Sequence, residues 1–131
     1  MEIKLKNYET ISAINAIKEL MDSKLPSKVS WNLSKNFRKL NETIEDFNSC
    51  EQKLVRQYAV KDSNGEIKLD ERQQFTITSE FVPIFNKERN EYLNCEDTMD
   101  IHIIKLSDLV NVEVSPTALY SLDFMIEDDT E

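Results

Sequence analysis

The sequence predicts an α+β fold, mainly helical, organised around one long amphipathic helix over about 27–61. Three observations point there. Val29, Leu33, Phe37, Leu40, Ile44, Phe47, Leu54 and Tyr58 follow one another at spacings of four, four, three, four, three, seven and four. That is the period of an apolar helical stripe, close to a coiled-coil seam. One glycine and three prolines leave little room for the turns of an all-β chain. Two alternating apolar runs, around Ile3–Leu5 and from Met99 to Leu106, supply a small sheet.

The elements follow in order. Ile3 and Leu5 alternate with Glu2, Lys4 and Lys6 as in a short half-buried strand. Asn7 suits the N-cap of a helix from Tyr8 to about Ser23, with Ile11, Ile14, Ile17, Leu20 and Met21 as its buried stripe. The connection Lys24-Leu25-Pro26 is short, so the first two helices are antiparallel or sharply angled neighbours. Pro26-Ser27 marks entry to the long helix, with Ser27 or Ser30 as N-cap, and Lys61 to Gly65 marks its exit. Only Glu51 interrupts the stripe.

Length sets a problem for that helix. About 33 residues at 1.5 Å rise give roughly 50 Å. A compact chain of 131 residues has a diameter near ~36 Å. The helix is therefore expected to kink, to pack on long helical partners, or to bury its far end in another chain.

Asn64-Gly65 predicts a type I′ hairpin turn, followed by short strands at 66–69 and 74–77. A third helix is expected over about 79–94, with Pro83 in its first turn. Phe81, Val82, Phe85, Tyr92 and Leu93 are placed to line the outer half of the long helix. Met99, Ile101, Ile103, Ile104 and Leu106 form the clearest strand. Ser115-Pro116, an N-cap followed by proline at the first helical position, opens a final helix to about Ile126. It buries Leu119, Leu122, Met125 and Ile126. The whole reads as one domain over 1–126 with a solvated acidic tail over 127–131.

The chain carries no sequence signature of catalysis. Its one glycine excludes glycine-rich phosphate loops and nucleophile elbows. His102, the only histidine, has no partners at ligand or triad spacing and reads as a surface strand residue. Cys50 and Cys95 lack zinc spacing and read as reduced thiols. The acidic groups Glu96-Asp97 with Asp100, and Glu127 to Asp129, lack a calcium-loop pattern and read as solvated charge. No enzyme activity, cofactor, metal or small-molecule substrate is expected. No apolar run reaches membrane-spanning length, and the N-terminus lacks a signal-peptide core. The expected setting is a cytoplasm.

Charge is uneven. Residues 1–61 hold 11 Lys/Arg and 8 Asp/Glu, whereas residues 62–131 hold 5 and 17. A net charge of −9 does not suit a nucleic-acid binder. Lys28, Lys35 and Lys39 share a helix face, close to Trp31. Trp31 lies off the apolar stripe, placed either to meet a partner or to cap the corner between the first two helices. Trp31, Lys28, Lys35 and Lys39, with Leu54 and Tyr58 on the far half, are the candidate contact residues for a protein partner or a second copy.

Several phrases look alike across a known family. They are Leu5-Lys6-Asn7-Tyr8-Glu9, Leu25-Pro26-Ser27-Lys28-Val29, Lys35-Asn36, Asn64-Gly65, Ser115-Pro116 and Phe124-Met125-Ile126-Glu127. Their order resembles the phage protein family called "domain of unknown function 1617", from viruses and prophages of Gram-positive bacteria. The resemblance covers nearly the whole chain and is weaker over 66–100. It implies phage origin and assigns no catalytic residue. The expectation is a non-enzymatic phage accessory protein acting by protein–protein contact, in virion or tail assembly, in the host cytoplasm or the virion. The alternative is an acidic phage inhibitor of a host defence or replication protein.

Overall fold

A computed structural model describes residues 1–130 of the chain; Glu131, the last residue of the acidic tail, lies outside the described residues. The chain is mainly helical, with two small strand pairs among the described residues. It divides into two compact units where the sequence reading has one domain. The first comprises Met1–Ile44 and the residues from Glu96 onward; the second is Glu45–Cys95.

In the first unit β1 (Glu2–Lys6) pairs antiparallel with β2 (Glu96–Asp100), from Glu2 opposite Asp100 to Lys6 opposite Glu96. β1 runs directly into α1 (Asn7–Met21). The cap position is therefore Lys6, not Asn7, and the Lys6 N–H donates to Glu9 Oε1 at 3.1 Å. Asn7 lies inside the first turn and is buried. The buried face of α1 is Thr10, Ala13, Ile14, Ala16, Ile17 and Leu20. Ile11 is only half buried and Met21 is exposed, so the expected stripe is rotated towards the alanines. Small side chains on that face let α4 (Pro116–Ser121) pack close against α1.

α2 spans Ser27–Tyr58 without a break. The Pro26 carbonyl accepts from Ser30 N–H, so Pro26 holds the cap position, and both Ser27 and Ser30, the expected caps, lie inside the helix. Within the first unit α2 buries Val29, Leu33, Asn36 and Leu40, with Phe37 and Ile44 partly covered.

Asn36 is the exception in this apolar row, and it is fully buried. Its Nδ2 donates to the His102 carbonyl at 2.8 Å, and its Oδ1 accepts from the His102 N–H at 2.8 Å. The amide thus pairs with His102 as a neighbouring strand would. Asn32 Nδ2 reaches the Ile103 carbonyl at 3.4 Å, and Lys39 Nζ the Asp100 carbonyl at 2.6 Å.

This explains why the long strand expected over 99–106 is broken. β2 stops at Asp100, and β3 is only Ile104–Lys105. Ile101 and Ile104 are both buried. Residues three apart cannot share one face of an extended strand, so the backbone must turn between them. Asn36 satisfies the groups that the turn removes from a ladder.

The C-terminal segment also departs from expectation. Ser115 caps α4, its Oγ accepting from Ala118 N–H at 3.1 Å, with Pro116 at the first position. The helix ends at Ser121 instead of running to Ile126. A tight turn over Asp123–Met125 follows, then β4 (Ile126–Glu127), parallel to β3. Leu122, which precedes that turn, and Met125, which ends it, are both buried. The tail is exposed but held: Ser107 donates from both N–H and Oγ to the Asp129 carboxylate, at 2.9 and 2.6 Å.

In the second unit the helix ends three residues earlier than the expected Lys61, because Ala59, Val60 and Lys61 pair with extended segments. Ala59 bridges Ile77, Lys61 bridges Ile67, and Leu69 bridges Phe75. The two hairpin loops share one construction. Asp62 Oδ1 accepts from the N–H of Asn64 and Glu66, and Asp70 Oδ1 from those of Arg72 and Gln74. Each loop places its fourth residue at positive φ: Gly65 at 78° and Gln73 at 61°. Asn64 is not at positive φ, so the expected type I′ turn is a three-residue loop closed by Gly65.

After a single turn at Ser79–Phe81 comes α3 (Val82–Leu93), with Pro83 in its first turn. Leu54, Val55, Tyr58, Ala59 and Phe85 form the core of this unit. Glu51, the break in the stripe, receives Arg89 Nε at 2.8 Å. The far part of the stripe is thus buried by the chain itself, and the length of α2 does not require another chain to cover it.

Replacing Asn36 by Ala removes both hydrogen bonds to His102 and should cost about 3 kcal/mol in urea unfolding. Asn32→Ala, which loses one long contact, should cost less than about 1 kcal/mol. Gln73→Gly relieves a left-handed side chain and should stabilise by about 1 kcal/mol, while Gly65→Ala should destabilise by a similar amount.

Candidate interaction surface

The first-unit stretch of α2 presents Trp31 to solvent. Trp31 follows the helical period of neither buried row, and 62% of it is exposed. It does not cap the corner between α1 and α2. Lys35, one turn on, places its ammonium 4.6 Å from the Trp31 ring centroid. Lys28, one turn back, is exposed, with Asp108 Oδ2 at 4.0 Å. An indole between two lysines of one helix face combines a large apolar area with positive charge at its margins.

The remaining candidates divide. Lys39 does not stay free for a partner, because its Nζ is committed to the Asp100 carbonyl. Leu54 and Tyr58 are 5% and 7% exposed and belong to the second unit's own core. They are withdrawn from the contact surface: what the stripe offered as an open face is filled by Phe85, with Ile67 and Ile77 packed alongside. The Tyr58 ring meets Phe81 at 5.5 Å and Phe85 at 6.5 Å between centroids. Its hydroxyl donates to Glu88 Oε1 at 3.2 Å, and burial with that carboxylate raises the phenol above its ordinary pKa.

Sequence reasoning missed other exposed rings and side chains. Tyr120 is 86% exposed, and Leu69, Phe75 and Ile84 are exposed in the second unit. The signal for Tyr120 lay in its absence from the expected buried row of Leu119 and Leu122; in the structure it stands between buried Ala118 and the buried cap residue Leu122. Leu69 and Phe75 gave no such signal, since alternation marks one face of a strand without saying whether anything covers it.

His102 has an exposed side chain and serves through its backbone. Cys50 and Cys95 are free. Among the described residues no three His, Cys, Asp or Glu side chains gather as a metal site, and no helix is long and apolar enough to cross a membrane.

Asp100 is a surface carboxylate held by a charged partner. The terminal ammonium of Met1 donates to its Oδ1 at 2.9 Å. That hydrogen bond and charge, then Lys39, lower its pKa below the ordinary carboxylate value of 3.8. The chain matches no family model, no curated protein and no solved structure.

A depressed folded-state pKa means that the contribution of Asp100 is present above its unfolded value and is lost as pH falls through the folded one. A carboxyl-detected NMR titration should therefore find Asp100 ionising below the ordinary value, and Lys39→Met should move that midpoint upward.

Proposed function

We propose that this chain is a non-enzymatic phage accessory protein that acts by docking another protein, in virion or tail assembly. Phage origin rests on the resemblance of its sequence phrases to the phage family described above. The docking reading rests on Trp31. A folded chain keeps so large a ring in water at a cost in apolar exposure, and tryptophan between cations is the residue type that dominates binding energy at interfaces. The flanking Lys28 and Lys35 favour a partner surface with carboxylates around an apolar hollow.

A second reading, an acidic inhibitor of a host defence or replication protein, draws on the 17 Asp/Glu of residues 62–131. The two differ in where the partner resides. A photo-crosslinking amino acid at position 31, expressed during infection, should join the chain to a structural protein of the particle. A crosslink to a host protein would favour the inhibitor. No crosslink, together with a Trp31→Ala chain that supports normal particle yield, contradicts docking through Trp31.

A further inference from the structure

A second surface of the first unit has the opposite charge. Between α1 and α4 lie two adjoining hollows. One, of about 360 Å³, is lined by Tyr8, Glu9, Tyr120, Asp123 and Phe124. The other, of about 240 Å³, is lined by Asn15, Glu19 and Thr117. Ser12 and Ser121 line both, so the two form one trough along α1. Trp31 lines neither.

The trough carries three rings at one end and carboxylates at both. The Asp123 carbonyl accepts from the Ile126 N–H, but its carboxylate has no hydrogen-bond or ion-pair partner among the described residues. Glu9 uses Oε1 for the Lys6 N–H, which leaves Oε2 for a ligand. Tyr120 stands almost wholly in water and Tyr8 is half exposed. Lys6 Nζ already lies 5.9 Å from the Tyr8 ring centroid, so this ring attracts a cation within the chain itself. Rings beside unpaired carboxylates suit guanidinium or ammonium groups and repel phosphate. A neutral apolar segment would leave the Asp123 carboxylate desolvated and unpaired.

Spacing narrows the occupant. Glu9 and Glu19 are ten residues apart on α1, or about 15 Å along the axis. An extended chain advances about 3.3 Å per residue, so side chains four residues apart stand about 13 Å apart on one face. We propose that the trough binds an extended basic segment of another protein. One arginine or lysine sits among Tyr8, Tyr120 and Asp123, and a second, about four residues away, faces Glu19.

Fluorescence anisotropy with labelled seven-residue peptides tests this. The probe has two arginines four residues apart among serines and alanines; the controls have the arginines adjacent, or replaced by glutamates. The spaced peptide should bind saturably and at least about fivefold more tightly than the adjacent one. Tyr120→Ala and Asp123→Asn should each weaken it about tenfold. Tyr120 is so exposed that its alanine variant should keep the fold, and Asp123→Asn is isosteric; far-UV circular dichroism checks both. Trp31→Ala should leave this binding unchanged, so the trough and the Trp31 surface fail or succeed separately. Equal binding of both arginine peptides, or undiminished binding by Tyr120→Ala, would reduce the effect to net charge and overturn the proposal. Self-association of the free chain that Tyr120→Ala abolishes would make the occupant a second copy and overturn it too.

Discussion

One buried amide, Asn36, decides how the first unit closes. The chain leaves the second unit at Glu96, lays β2 beside β1, and must then turn so that both Ile101 and Ile104 enter the core. The turn strips His102 of strand partners. Asn36 meets both of its backbone groups from the middle of α2, at 2.8 Å each. Either group left unpaired in a partly buried site costs more than the bond itself gains. The same Nδ2 also lies 3.4 Å from Met125 Sδ, so helix, broken strand and C-terminal turn meet at one side chain. A leucine here would continue the apolar row but leave that backbone unanswered.

The second constraint is the length of α2. A single stripe of 32 helical residues supplies apolar side chains to two separate cores, Val29 to Leu40 in one and Leu54 to Tyr58 in the other. Each unit completes its share with its own residues. The second does so with two short hairpins and α3, and joins Glu51 on the stripe to Arg89. A long amphipathic helix is thus no evidence by itself of a missing partner. Evidence for contact lies off the stripe, in Trp31 between Lys28 and Lys35, and in Tyr120 above the α1–α4 trough.

Local chemistry made much of the fold legible. Ser115-Pro116 reads as a helix start because both cap bond and proline geometry are set within four residues. Pro26-Ser27 as the entry to α2 and Gly65 as a turn residue are legible for the same reason; the cap residue and the turn type are not. Most misses depend on distant partners; the turn type at Asn64-Gly65 and the cap of α2 are local ones. Nothing local says that Asn36 will replace a strand, so the apolar run from Met99 to Leu106 reads as continuous. The end of α4 at Ser121 follows from a β3–β4 pairing that joins residues far apart in sequence. Lys6 displaces Asn7 from the cap because β1 leads into α1 with no linker. Of the candidate contact residues, Trp31 was visible as a ring off the period. Leu54 and Tyr58 were misassigned because a stripe does not reveal which chain covers it.

The dependence of this unit on Asn36 can be read at one proton. His102 lies outside any regular strand and its side chain is exposed, so among the described residues the hydrogen bond that holds its amide is the one to Asn36 Oδ1. Native-state hydrogen exchange, followed by NMR, should show the His102 amide exchanging as slowly as the amides paired between β1 and β2. Exchange as fast as that of the Glu71 amide in the open hairpin loop would mean that the amide bond does not hold in solution, and that another contact closes the fold.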